Sequence, residues 1–204
     1  EKLWPDLSPE AAERDFKVAL NTLYRVLEPA REARTPSAFV VRDGSHYGLR
    51  PGADLWLDAD QFEQRVAHGQ RRMELDEEAG LALLREALAL YRGSYLAEYP
   101  YEEWCSLERE RLLTLFLRSA DRVAQALADR GRWQEVIAVC QSILAADDCW
   151  EGAYRLTMVA YAELGNRTQA VRTYGQCVDR LRAELGVPPS AGTVAVYERV
   201  RFDR

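Results

Sequence analysis

One pattern is written twice in this chain, 34 residues apart, and few architectures tolerate such an echo. Gly131 aligns with Gly165. Before each glycine, Phe116, Ala120, Ala124, Leu127 and Ala128 match Trp150, Tyr154, Met158, Tyr161 and Ala162. After it, Val136, Ile137, Cys140, Ile143 and Leu144 match Ala170, Val171, Tyr174, Cys177 and Val178. The spacing i, i+1, i+4, i+7, i+8 is one face of an α-helix. Each copy therefore reads as helix, tight turn, helix, with glycine supplying the left-handed residue that ends the first helix.

A lone helical hairpin cannot bury its apolar stripe, so neighbouring hairpins must stack. The period is that of tetratricopeptide repeats. The alternative is an ordinary helical bundle with a chance echo; agreement in type on both sides of both glycines favours the repeat. With 204 residues the chain can bury a sizeable core in one or two domains. No apolar run is long enough for a membrane span. The opening Glu1-Lys2-Leu3-Trp4-Pro5 carries no signal-peptide pattern, and its lack of Met is what a fragment would show.

Leu3 and Trp4 read as the buried end of a helix begun before residue 1. Ser8-Pro9-Glu10-Ala11 predicts a helix start, with a short helix to about Arg14. A second helix over Phe16–Leu27 follows, its inner face Phe16, Ala19, Leu20, Leu23, Val26 and Leu27, its outer face Arg14, Lys17, Asn21, Arg25 and Glu28. Phe39–Arg42 and His46–Leu49 predict a β-hairpin turning at Asp43-Gly44. The β character stops after Leu55-Trp56-Leu57, which sets a domain boundary near residue 58. Beyond it seven helices are expected, the first over Gln61–Gln70, the second over Glu77–Tyr91 and the third over Glu103–Ala128. The Tyr-rich loop from Ser94 is expected to anchor through Leu96, Tyr99 and Tyr101. Glu184 to Ser190 breaks the chain before a last short helix at Val194, Tyr197 and Val200. The fold class is thus mostly α: a helical-hairpin array over 59–204, preceded by a helix and hairpin in 1–58.

Cys105, Cys140, Cys149 and Cys177 contain no CxxC pair, so a zinc knuckle is not indicated, and a reducing, cytoplasmic setting is expected. No cofactor or metal site is expected. The net charge of −6 excludes a protein that coats nucleic acid wholesale, though not a small reading module within an acidic chain. No HExxH, Walker or Gly-rich phosphate loop is present, and His46 and His68 lie far apart in sequence. Glu102-Glu103 and Asp147-Asp148 fall at predicted helix starts, where the helix dipole explains them. The chain does not read as an enzyme.

A helix with a cationic, amide-bearing face followed by a hairpin is the skeleton of a winged helix. Lys17 and Arg25 can pair with phosphate or guanine, and Asn21 can read adenine in the major groove, with Arg14 nearby. Arg42, Ser45 and His46 would carry the wing to neighbouring phosphates or the minor groove. The plain alternative is a solvated helix face beside an ordinary hairpin. Residues 1–58 hold eight Lys+Arg against ten Asp+Glu, so strong non-specific phosphate binding is not expected. Trp133, Trp150, Tyr154, Tyr161 and Tyr174 could line a groove in the array, but aromatics at helical spacing usually fill the core, the reading preferred here.

Leu3-Trp4-Pro5-Asp6, the helix Asp15–Pro29 and the hairpin ending Ser45-His46-Tyr47-Gly48-Leu49 resemble the C-terminal half of an OmpR-type winged helix, in the form found in SARP-type bacterial regulators. The rest resembles their bacterial transcriptional activator domain, through Leu57–Phe62, Tyr91-Arg92-Gly93 with Leu96, Trp104 with Glu108 and Arg109, Gly165–Ala170, Glu184-Leu185-Gly186 and Pro189-Ser190. The resemblance implies a fragment of a DNA-binding transcriptional activator with recognition helix 15–28 and wing 39–50. Its partners would be promoter DNA in the intact protein, RNA polymerase or a sigma factor, and a second copy in a homodimer; no membrane is implied. Thr22 and Tyr24 depart from it, standing where such recognition helices often carry basic residues. The alternative is a tetratricopeptide-like scaffold that binds a protein, peptide or small ligand without DNA.

Overall fold

In the computed structural model, which describes residues 3–32 and 34–202, Ser8 starts the first helix. Its side chain accepts from the Ala11 amide at 3.3 Å, and Pro9 takes the first helical position, where no amide hydrogen is needed. This α1 runs unbroken over Pro9–Leu27. The expected break near Arg14 is therefore absent: Asp15 is an ordinary helix residue, and nothing from Glu10 to Leu27 is a breaker. The buried helix end expected at Leu3 and Trp4 is also not found. Leu3 is exposed, and neither residue is helical.

Strands β1 (Val40–Asp43) and β2 (His46–Leu49) pair antiparallel, with Val40 opposite Leu49 and Asp43 opposite His46. The two-residue turn is Gly44-Ser45, and Gly44 takes a φ of +58° that an L side chain adopts reluctantly. Leu55–Leu57 joins no strand among the described residues.

The chain divides into two compact units, Glu1–Leu57 and Asp58–Arg204. The second is all helix: α2 (Asp58–Met73), α3 (Glu77–Leu88), a 3-10 turn (Glu103–Cys105), α4 (Ser106–Ala128), α5 (Trp133–Ala146), α6 (Glu151–Glu163), α7 (Arg167–Leu185) and α8 (Ala191–Phe202). The seven expected α-helices are present, with ends differing by a few residues: α2 extends beyond Gln61–Gln70, and α3 stops before Tyr91. Asp147-Asp148 does not open a helix; Asp147 ends α5 and accepts from the Cys149 amide at 2.9 Å.

The sequence echo is an echo of structure. Gly131 and Gly165 take φ of +67° and +74°. In both copies the next amide reaches back to the equivalent carbonyl: Arg132 to Leu127 at 3.0 Å, Asn166 to Tyr161 at 2.7 Å. The hairpins α4–α5 and α6–α7 then bury the matched stripes. Val123, Leu127, Val136, Ile143 and Met158 have no solvent exposure, and full burial of each such side chain contributes about 1.5–3 kcal/mol. Of the five repeat aromatics, Tyr154 is buried, Trp133 and Trp150 pack against the core, and Tyr174 stacks on Tyr197 at 4.0 Å. These four pack against neighbours, as the core reading requires.

Earlier in the unit, α2 and α3 meet closely at two glycines. A Cβ on Gly80 would fall 2.4 Å from the Met73 backbone nitrogen, and one on Gly69 would fall 2.9 Å from Leu84. Arg111 then ties α2 to α4, reaching Glu63 with both terminal nitrogens and Glu108 through its Nε at 2.9 Å. After α3 the chain crosses the array as a loop fixed from outside. Arg109 donates to the carbonyls of Tyr95 (3.1 Å), Tyr99 (2.9 Å) and Pro100 (3.1 Å). The expectation that Tyr99 and Tyr101 anchor this loop is wrong. Both are exposed, Tyr101 almost completely, because the Arg109 fork holds the backbone instead. Leu96 is half-buried.

At the far end, Glu151 at the start of α6 accepts from the Ser190 amide (3.0 Å), the Ser190 hydroxyl (2.8 Å) and the Thr193 hydroxyl, fixing the start of α8. Cys140 and Cys177 are fully buried, and burial pushes both thiols up to about 12.

Candidate nucleic-acid interface

Arg14, Lys17, Asn21 and Arg25 follow one another at three- and four-residue spacing along α1, and all four are exposed. They form one polar stripe about three turns long. Two of its cations already have anionic neighbours. The Lys17 ammonium lies 2.7 Å from Glu13, one turn back, and Arg14 Nε lies 3.4 Å from Asp15. The hydrogen bond and charge of Lys17 hold the Glu13 carboxyl below the usual range. Arg25 makes no ion pair among the described residues. It stands in the last turn, where a cation also complements the helix dipole.

The opposite side of α1 corrects the expected inner face. Phe16, Leu20 and Leu27 are half-buried, but Ala19, Leu23 and Val26 are exposed, Val26 by 72%. The hairpin covers only one flank of the apolar arc, and no described element of this unit covers the other. The periodicity gave the arc correctly but carries no information on what lies against it.

Glu28 is the second correction. It is not an outer-face residue: it closes α1 onto the hairpin. Its carboxylate accepts from the Ser37 hydroxyl and from the Ala38 amide at 2.7 Å. Those two donors, led by Ser37, hold the carboxyl below its usual range against the effect of burial. Arg50 Nη2 donates to the Ser37 carbonyl at 2.9 Å, and Phe16 meets Tyr47 edge-on at 5.1 Å between centroids. The guanidinium of Arg31 lies 4.2 Å from the Tyr24 ring centre. Helix and hairpin are thus one body, with stripe and wing in fixed relation.

At the wing, Arg42, Ser45 and His46 are exposed. Arg42 curls over its own turn, its Nε donating to the Gly44 carbonyl at 2.8 Å and its guanidinium 5.5 Å from the Tyr47 ring centre. Chemically, stripe and wing offer multidentate hydrogen-bond donors, one amide able to donate and accept, and no activated nucleophile or acid–base pair.

Glu28 and Ser37 escaped the sequence reading because they stand nine positions apart with no periodic pattern between them. Glu13 did not have to: a Glu four residues before a Lys on a helix is a readable signal. In the helical unit, Asp147, Asp148 and Cys149 bring ligand-type atoms within 4.8 Å of one another. Asp148 is engaged by Arg180 at 3.4 Å, and burial followed by the charge of Asp148 pushes the Cys149 thiol up.

A family model described as bacterial transcriptional activator domain matches residues 57–201, and the chain belongs to that family. It is 26% identical over 199 residues to the regulatory protein AfsR of Streptomyces coelicolor, covering 97% of this chain and 19% of that protein. It is 29% identical over 139 residues to the transcriptional regulator RedD of the same organism, covering 66% of this chain and 39% of RedD. The chain therefore spans well under half the length of either relative. A solved structure of Mycobacterium tuberculosis EmbR in complex with a low-affinity phosphopeptide superposes with a TM-score of 0.72 at 20% identity, over 98% of this chain and 52% of EmbR. That likeness establishes the fold: a helical-hairpin array preceded by a partial winged helix.

Proposed function

We propose that this chain is the promoter-reading and activating part of a cytoplasmic DNA-binding regulator. Helix α1 enters the major groove, the hairpin acts as the wing, and the helical unit contacts another protein of the transcription machinery. The observation that carries the reading is the exposed stripe Arg14, Lys17, Asn21, Arg25, held rigidly to the wing by Glu28. Asn21 is the base reader, able to bridge the edge of adenine. Arg25, with no carboxylate partner, takes guanine or phosphate at full charge. The uncovered arc of Ala19, Leu23 and Val26 is where the remaining helices of a complete winged helix pack, so the reader works at full strength only with that arc covered.

The test is promoter binding by the parent regulator with Arg25→Ala and Asn21→Ala, one at a time. Arg25→Ala weakens binding by about 1–3 kcal/mol, and Asn21→Ala relaxes selectivity at one base position. Unchanged affinity and selectivity in both would remove α1 from the groove. Few free cations also mean few displaced counterions, so the affinity should fall only gently with salt.

A further inference from the structure

We infer that the segment Tyr99–Glu110 of the helical unit is a docking surface for a cationic, apolar-anchored helix of a partner protein. The inference deepens the reading of that unit as the protein-contacting half and rests on it. Four large apolar side chains stand out of the fold within nine residues: Tyr99, Tyr101 (95% exposed), Trp104 and Leu107 (82% exposed). The core has no use for them, since the loop beneath is held by Arg109 and not by its aromatics. Contiguous exposure of this kind marks interaction sites, and Tyr and Trp are the residues that dominate binding energy there.

The charge around the cluster selects the partner. Glu98, Glu102, Glu103 and Glu110 flank it, and none forms an ion pair among the described residues. Glu102 accepts from the Trp104 indole at 3.0 Å, which fixes the ring beside a carboxylate. Arg111 is paired with Glu63 and Glu108, while Arg109 keeps its charge and turns its guanidinium onto backbone carbonyls. Four unpaired carboxylates against the single charge of Arg109 leave residues 98–110 net negative. That repels nucleic acid phosphates and anionic lipid headgroups. It attracts Lys and Arg, while the aromatics supply the apolar contact and the faces over which cations settle. A helix with one apolar face rimmed by basic residues satisfies both demands.

The experiment titrates fluorescently labelled peptides of about eighteen residues into the chain at about 0.15 M salt, read by anisotropy. The probes are a Lys/Leu amphipathic helix, its Leu→Ser version and a Glu/Leu helix. The Lys/Leu peptide binds saturably, and the other two at least about tenfold more weakly. Trp104→Ala with Leu107→Ser reduces its affinity about tenfold, while Leu75→Ser, at another leucine exposed to 82%, does not. Glu102→Gln with Glu103→Gln, which leaves the apolar residues in place, reduces it several-fold and flattens its salt dependence. Equal affinity of the parent and W104A/L107S overturns the proposal, as does equal binding of the Glu/Leu helix. Duplex binding by the same variants stays unchanged, so a failure of this surface and a failure of the α1 reader register in different measurements.

Discussion

Glu151 makes a sharp test of how the helical unit is closed, because three donors converge on one carboxylate. Thr193, fully buried, donates to it and accepts from Arg155 Nη1 at 3.1 Å. Ser190 contributes its amide and its hydroxyl. A hydrogen bond to a charged group is worth about 1.5–3 kcal/mol and a neutral one about half that. Partial solvent access weakens each of the three. All three donors meet one oxygen of Glu151, so Glu151→Gln keeps the shape and an acceptor for them but loses the charge, and should cost about 1–2 kcal/mol; Glu151→Ala strands all three donors and should cost about 2–4 kcal/mol. At about 2–4 °C per kcal/mol, the alanine variant should melt about 4–16 °C lower by far-UV circular dichroism at pH 7. The pH dependence gives the second handle. Partial burial pushes this carboxyl up, but Thr193 and Ser190 together outweigh it and hold the group below its ordinary 4.5. A carboxyl depressed in the folded state stabilises fully above its unfolded value, and that contribution is lost as pH falls through the folded value. The gap in Tm between parent and Glu151→Gln should therefore narrow steadily below about pH 4.5. A gap of the same size at pH 7 and pH 3, or none at pH 7, would refute the reasoning.

Three further outcomes follow from the same geometry. Gly80→Ala should destabilise the helical unit by about 1–3 kcal/mol in urea melts, because the new methyl meets Met73 backbone that cannot swing away. Arg109→Lys keeps the charge but cannot span three carbonyls, so hydrogen exchange at residues 95–101 should quicken as much as in Arg109→Ala; protection retained in the lysine variant would show that charge alone holds the loop. Glu13→Gln should strengthen promoter binding by the parent regulator about two- to fivefold and steepen its salt dependence, because it releases Lys17 to phosphate; weaker binding would mean that Glu13 orients Lys17 for its contact.

What could be read from the sequence was whatever repeats. The 34-residue echo places two hairpins, their glycine turns and their buried stripes without reference to anything distant. The polar stripe on α1 is equally local, since three- and four-residue spacing alone puts Arg14, Lys17, Asn21 and Arg25 on one face. What could not be read was closure between segments. Arg109 holding three carbonyls, Glu151 holding the start of α8 and Glu28 holding the hairpin are each a side chain reaching loop backbone 9 to 39 residues away. Such contacts leave no period. The exposure of Tyr101 follows the same logic: aromatic character suggested an anchor, and only the fork beneath it shows that the anchor lies elsewhere.

The acidic balance of the chain stops being a puzzle once charge is followed residue by residue. In α1 the carboxylates of Glu13 and Asp15 sit against Lys17 and Arg14, and Glu28 is turned inward to the hairpin. Net charge near the stripe is thereby low, while the side chains of Asn21 and Arg25 remain unpaired among the described residues. If α1 reads DNA as proposed, it gains little from the phosphate backbone and depends on base contacts and wing geometry for affinity, which favours the right sequence over bulk duplex. In the helical unit the same economy runs in reverse. Arg111 is paired with Glu63 and Glu108, and the one charge of Arg109 is outnumbered by unpaired carboxylates, so the net charge along Tyr99–Glu110 is negative. The two surfaces thus differ in local charge, near balance along the stripe and negative along Tyr99–Glu110, and on the proposed reading that difference keeps the nucleic acid edge on the first and away from the second.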